Sequence, residues 1–297
     1  MTTLDPAASQ PPQWCNGSER PKVALIGAGN RPYVLEEAER LKAELPKYVD
    51  LVHTDFEWQT DLSELEIDFA IVLGGDGSIL QAARSMGTRQ VPVIGVNMGK
   101  LGFLAEFSPS QLLEVIASIC AGECQVIEHM MLRCRVFEGE KLIGERTGLN
   151  EAAILGGPPY QIQNIDLYVD SELATTYSCD GLIISTPVGS TAHNLSAGGP
   201  ILRSNLQAFV ISPISPHTLT VRPVVDTAER VFEIQVQGAH ENSSLVVDGQ
   251  TLCTLTEQRR VVIDRAESSF QLITVAGHNY YRTLREKLGW GGRITKS

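Results

Sequence analysis

Between residues 22 and 121 the chain alternates short apolar, β-prone runs with stretches whose apolar residues recur at helical spacing, and this alternation constrains the fold most strongly. Lys22-Val-Ala-Leu-Ile-Gly27 reads as a buried first strand. Residues 32–45 read as a helix ended by Pro46. Residues 50–53 form a weaker strand and 68–73 a strong one. A helix over 79–86 opens directly after a glycine-rich turn. A strand over 91–96 and a helix over 109–121 follow. Strands separated by helices imply an α/β domain with a parallel, Rossmann-like sheet, expected over residues 21–127.

From Ile127 the texture changes. β-prone stretches at 131–137, 162–169, 182–185, 209–212, 231–236, 245–247 and 261–264 are separated by Gly, Asn, Asp and Pro turns with little helical periodicity. A β-rich second domain over 128–276 is expected. Residues 280–290 look helical again, within a C-terminal segment (277–297) expected to return to the first domain. Residues 1–20, rich in Pro, Ser and Gln and lacking a signal peptide's basic start and apolar core, are expected to be a flexible leader.

Composition then removes several functions. The 297 residues carry 35 acidic and 24 basic side chains, a net charge of -11, which argues against a nucleic-acid partner. An anionic nucleotide stays compatible, because backbone N–H groups, helix N-termini and Mg²⁺ supply positive potential locally. No run of about 18 apolar residues occurs, so no membrane partner is expected. Cysteines at 15, 120, 124, 134, 179 and 253 form no CxxC pair and read as reduced thiols of a cytoplasmic enzyme. His53, His129, His217, His240 and His278 lie at no metal-ligand spacing, so a zinc or iron site has little support.

Two segments carry chemistry. In Leu73-Gly74-Gly75-Asp76-Gly77-Ser78, glycines between a strand and a helix let backbone N–H groups approach a phosphate. Asp76 is the unusual member, since a carboxylate at such a turn is repelled unless it meets a metal or a hydroxyl proton. It is therefore a candidate general base or metal contact. The plainer reading is a tight turn in which Asp76 or Ser78 caps the helix. The second segment, residues 180–200, is dense in small polar residues, glycine and proline. It reads as folding around a ligand, with the Thr191 and Ser196 hydroxyls and the Asp180 carboxylate available to a ribose or phosphate, although a long surface loop fits the composition too.

The Gly-Gly-Asp-Gly-Ser turn resembles the signature shared by NAD kinases, diacylglycerol and sphingosine kinases, and phosphofructokinases. Residues 180–200 resemble the longest NAD kinase motif, and residues 95–104, Asn150-Glu151, residues 247–250 and residues 282–289 resemble further segments of that family. The resemblance implies phosphorylation of NAD at the adenosine 2′-hydroxyl by ATP, or another phosphoryl donor, with Mg²⁺. It implies that Asp76 draws the acceptor proton and that Gly74, Gly75, Gly77 and Ser78 hold the phosphates. NAD contacts are implied for Asp76, Gly77, Phe103, Asn150, Glu151 and Asp180, for Thr191, Ala192, His193, Asn194, Leu195 and Ser196, and for Gln250. Phe103 fits core packing equally well. His193 stands where relatives usually carry a tyrosine, which leaves a smaller ring to stack on a base. Dimers and tetramers in the family imply a homodimer or homotetramer. A lipid kinase is disfavoured by the polar 191–196 region. A sensor that has lost catalysis would have little need of Asp76 beside Asn150 and Glu151.

Overall fold

The computed structural model describes residue 14 and residues 20–99, 102–158, 160–238, 243–275 and 280–289. The chain divides into two compact units, Met1–Glu128 with Gln271–Ser297, and His129–Phe270.

In the first unit, β1 (Lys22–Gly27), β2 (Asp50–Asp55), β3 (Phe69–Gly74) and β4 (Val93–Asn97) form a parallel sheet in the order β2-β1-β3-β4. β3 is buried at every position and β1 at all but its first, as strands covered on both faces must be. α1 (Pro32–Glu44) starts on a proline whose missing N–H costs nothing at a helix start, and it buries Val34, Ala38 and Leu41. α2 (Asp76–Ser85) buries Ile79, Ala82 and Ala83. α3 (Pro109–Cys120) opens on a capping box of Ser108 and Gln111 and buries Leu112, Ile116 and Ile119. The side chains of α1 and α3 meet Val23, Leu25, Phe69, Ile71, Ile94 and Val96 in one core.

Because the strands are parallel and paired Gly27 to Leu73 and Gly74 to Asn97, their C-terminal ends lie at one edge. The turns after β1, β3 and β4 gather there, where open α/β sheets bind ligands.

The leader was expected to be flexible, and at Trp14 this is corrected. That indole is buried, lies 5.1 Å from the Phe69 ring and donates from Nε1 to the Ile119 carbonyl at 3.2 Å. Its large apolar area outweighs the polar composition around it. The rest of residues 1–20, Arg20 apart, lies outside the described residues. α2 also starts three residues before its expected position, because Gly75 is the N-cap and its carbonyl accepts from Ser78 and Ile79 N–H.

The second unit is all β apart from short helical turns. One sheet holds β8 (Gln163–Val169), β9 (Glu172–Cys179), β13 (Phe232–Gln237) and β16 (Arg259–Thr274), with β5 (Gln125–Glu138) paired to β16 and β6 (Lys141–Gly148) paired to β5. The other runs β12 (Val224–Thr227), β11 (Ala208–Ile214), β10 (Gly181–Ser185), β7 (Glu151–Gly156), β14 (Ser243–Val247) and β15 (Gln250–Thr254), antiparallel throughout. Alternate residues such as Leu132, Cys134 and Val136, or Leu182 and Ile184, point into a shared core. Burial pushes the Cys179 thiol up to about 11 and the Cys134 thiol higher still, so both stay protonated and inert.

The last residues of β16 leave this unit and pair with β4 in parallel, Leu272 against Val93. α5 (Tyr280–Leu288) follows in the first unit. Among the described residues, no helix is long and apolar enough to cross a membrane.

Candidate functional site

The glycine-rich turn is held by its own geometry. Gly74 has φ +154°, a conformation that favours glycine, and a Cβ there would overlap the Ser78 side chain. At Gly75 and Gly77 an added Cβ would meet open space, so the turn's outer side is unobstructed. The N–H groups of Asp76 and Gly77 precede the first helical hydrogen bond, which Ser78 N–H makes to the Gly75 carbonyl, and the helix dipole adds partial positive charge there.

Asp76 caps no helix. Its Oδ2 accepts from Phe103 N–H at 2.8 Å, and its Oδ1 accepts from Leu104 N–H at 2.9 Å and Ala105 N–H at 3.2 Å. Gly102 is required beside it, because a Cβ at that position would overlap the carboxylate. The capping reading is thereby corrected, since the acceptor of the α2 N–H groups is the Gly75 carbonyl and the carboxylate serves another loop. Phe103 is half-buried, outside the apolar core, with the Lys287 ammonium 4.1 Å from its ring centroid.

In the second unit a matching device holds Asn150 and Glu151. Asp248 Oδ2 accepts from Leu149 N–H at 2.7 Å, while its Oδ1 accepts from Asn150 N–H at 2.8 Å and Glu151 N–H at 3.1 Å. On the other side the Asn150 carbonyl accepts from Thr186 N–H at 2.8 Å, and Thr186 Oγ1 donates to the Leu149 carbonyl at 2.6 Å. Gly189 comes so close that a Cβ there would lie 2.7 Å from Asn150 Cα.

The 180–200 segment was read as folding around a ligand, and part of that reading is corrected. Ser185, Thr186, Ser190 and Asn194 are fully buried. The Asn194 amide donates to the Ser190 and Pro200 carbonyls at 3.1 and 3.0 Å and accepts from Ser212 Oγ at 2.7 Å, so its side chain is spent on scaffolding and does not face a ligand. Ser190 Oγ donates to the Pro187 carbonyl at 2.6 Å and accepts from Leu202 N–H at 2.9 Å. The Thr191 hydroxyl, expected to be free for a ribose, donates to the Val188 carbonyl at 3.1 Å, which leaves only its lone pairs to a ligand. Small polar residues here satisfy the backbone of a chain that keeps turning. Ala192, His193 and Leu195 are half-buried and Ser196 is exposed.

Glu151 joins these two segments. It is buried, the His193 N–H donates to its carboxylate, and its Oε2 has no hydrogen-bond partner among the described residues. Burial, reinforced by the nearby Asp248 charge, pushes it up to about 8 from an ordinary 4.5. Between these values the folded chain binds the extra proton. Stability therefore falls as pH rises through this window, by up to about 1.4 kcal/mol per pH unit. Glu151→Gln should melt higher than the wild type at pH 8.5 and close to it at pH 5. An equal gap at both values would contradict the assignment.

The remaining expected residues are more exposed. Asp180 is about half exposed, with His217 Nε2 4.0 Å from its Oδ1. Gln250 is exposed at the start of β15, where its carbonyl accepts from Arg146 Nη1 at 3.2 Å. Thus Gly74 to Ser78 and Phe103 come together in the first unit, and Asn150, Glu151 and residues 191–196 come together in the second. Sequence reasoning missed Asp248 and Lys287. Asp248 carried a usable signal, since a non-glycine residue before Gly249 in a hairpin turn adopts φ +46° and is often Asp for its backbone bonding.

The family model described as ATP-NAD kinase N-terminal domain matches residues 31–124, and that of the ATP-NAD kinase C-terminal domain matches 149–275. The chain is 52% identical over 281 residues to the NAD kinase of Rhodopirellula baltica, covering 95% of this chain and 90% of that one. It is 38% identical over 269 residues to the NAD kinase of Geotalea daltonii, covering 91% of each. Among solved structures, an NAD kinase from Archaeoglobus fulgidus in complex with ATP superposes with a TM-score of 0.70 at 25% identity, over 91% of this chain and 100% of that chain. Yeast NADH kinase complexed with NADH shares the fold, with a TM-score of 0.81 at 23% identity over 94% and 91% of the two chains. Two domain models in the right order and relatives similar over nearly the full length lead to one conclusion: the chain belongs to the NAD kinase family.

Proposed function

We propose that the chain transfers the γ-phosphoryl group of ATP to the 2′-hydroxyl of the adenosine ribose of NAD, giving NADP and ADP. The observation that carries this reading is the Asp76 carboxylate, oriented by three N–H donors beside a glycine turn whose outer side is open. A carboxylate has about four lone-pair sites, so three backbone donors leave room for a substrate hydroxyl. Asp76 takes the proton as the ribose oxygen bonds to the γ-phosphorus and the bond to the β–γ bridging oxygen breaks. The N–H groups at the start of α2, with Gly74, Gly75, Gly77 and Ser78, receive the phosphates.

Mg²⁺ would arrive on the ATP oxygens, where it offsets their charge. NAD is held by Asn150 and Glu151, by Thr191, Ala192, His193, Leu195 and Ser196, by the backbone at Asn194, and by Asp180 and Gln250. Phe103 and Gly77 line the reacting end. Pinning of the Asn150 and Glu151 backbone by Asp248 and by the 186–189 turn supports this assignment, since the pair is preorganised. A cytoplasmic homodimer or homotetramer completes the reading on the family resemblance, and light scattering of the purified chain tests its size.

The reaction is tested by supplying NAD⁺, ATP and Mg²⁺ and following NADP⁺ with an NADP-specific dehydrogenase. Linear, enzyme-dependent NADP⁺ formation is expected. No NADP⁺ from folded protein would remove the proposal.

A further inference from the structure

The last helix of the first unit brings a cation to the glycine turn. Lys287 Nζ, near the end of α5, lies 3.5 Å from Asp76 Oδ2 and 4.1 Å from the Phe103 ring centroid. Its side chain is only 21% exposed, although α5 is otherwise mostly solvated and buries Leu284 alone among its described residues. A lysine on such a helix ordinarily extends its ammonium into water. Here it lies over an aromatic face, the favourable arrangement for a cation, and beside a carboxylate.

The three N–H donors on Asp76 fix its orientation but carry no net charge. Lys287 adds the charge they lack, at a turn that must receive a polyanion. The 3.5 Å separation is longer than a charge-assisted hydrogen bond, so the ammonium offsets the carboxylate without closing it to a hydroxyl.

We propose that Lys287 is a positioning residue for phosphoryl transfer, bridging the Asp76 carboxylate and the Phe103 ring so that both are held and the carboxylate's charge is offset against the incoming triphosphate. This rests on the reading of Asp76 as the acceptor of the hydroxyl proton.

The test uses the full chain carrying K287M, which keeps the apolar stem and drops the charge, and K287R, which keeps the charge. Each is also made with D76N, and kcat, both KM values and melting temperature are measured. K287M should lower kcat by roughly 10- to 100-fold, with KM for NAD within about twofold of wild type if uniform binding is untouched. K287R should recover most of the loss. In the D76N background K287M should cost nothing further, because Lys287 acts through Asp76. A wild-type kcat in K287M, the same fold-loss in both backgrounds, or no recovery in K287R would overturn the proposal. Should K287M melt early, the K287R result and the D76N comparison still decide it. A wild-type chain that makes no NADP removes instead the kinase reading beneath it.

Discussion

Asp76→Asn should lower turnover with NAD and ATP by roughly 10²–10⁴-fold, the usual cost of losing a general base. The substitution keeps the shape and one acceptor oxygen but presents an NH₂ group to one side of a loop that now donates to both oxygens. Either Phe103 N–H or the Leu104 and Ala105 pair then loses its acceptor. A modest loss of stability should accompany the kinetic one, about 1 kcal/mol because the Asp76 side chain is 31% exposed. The two effects separate experimentally. Steady-state rates on folded protein at saturating substrates read the chemistry, and a melting curve reads the loop. Wild-type turnover in Asp76→Asn would remove the base from the mechanism.

The second large effect is expected at Gly189, a buried residue packed against the Asn150 backbone. Gly189→Ala puts a methyl group against the Asn150 backbone, 2.7 Å from its Cα, where neither side is a flexible side-chain end. Overpacking of this kind costs roughly 1–3 kcal/mol and should lower the melting temperature by roughly 2–12 °C. Relief by moving residues 149–151 would pull them from Asp248 and from Thr186, so KM for NAD should rise in the protein that remains folded. A melting temperature and KM equal to wild type would show that the 149–151 backbone is not held as described. Gly75→Ala is the informative contrast, because a Cβ there meets nothing and any loss must fall on ligand binding.

Much of the first unit was legible in the sequence because its signals are local. The apolar runs of β1 and β3 and the helical spacing of Val34, Ala38 and Leu41 depend on neighbours a few residues away. The second unit was read less completely. β9 is exposed at its first five positions and so lacks the alternation that marks a half-buried strand. β16 runs from Arg259 to Thr274 through Glu267-Ser-Ser269, a polar stretch that reads as a turn until its partners are known. β6, β12 and β15 are short or largely exposed for similar reasons.

The site divides in the same way. Asp76 stood out because a carboxylate on a glycine turn is anomalous on chemistry alone. What the carboxylate binds was not legible, since Phe103, Leu104 and Ala105 are 27 to 29 positions away. Asn150 and Glu151 were visible only through family resemblance. Their anchor, Asp248, lies 97 to 99 positions downstream. In residues 180–200 composition could not distinguish hydroxyls that face a ligand from those, like Ser190, that hold the turn together. Lys287 lay inside the 282–289 resemblance, but nothing singled it out among the several charges of a solvated helix.

The central claim is the position of the new phosphate. The purified chain supplied with NAD⁺, ATP and Mg²⁺ should yield one ADP for each dinucleotide converted. Phosphorus NMR of the product should find a single phosphomonoester coupled to the ribose 2′ proton of adenosine. Phosphate on another hydroxyl, or ADP released without a phosphorylated dinucleotide, would contradict the account.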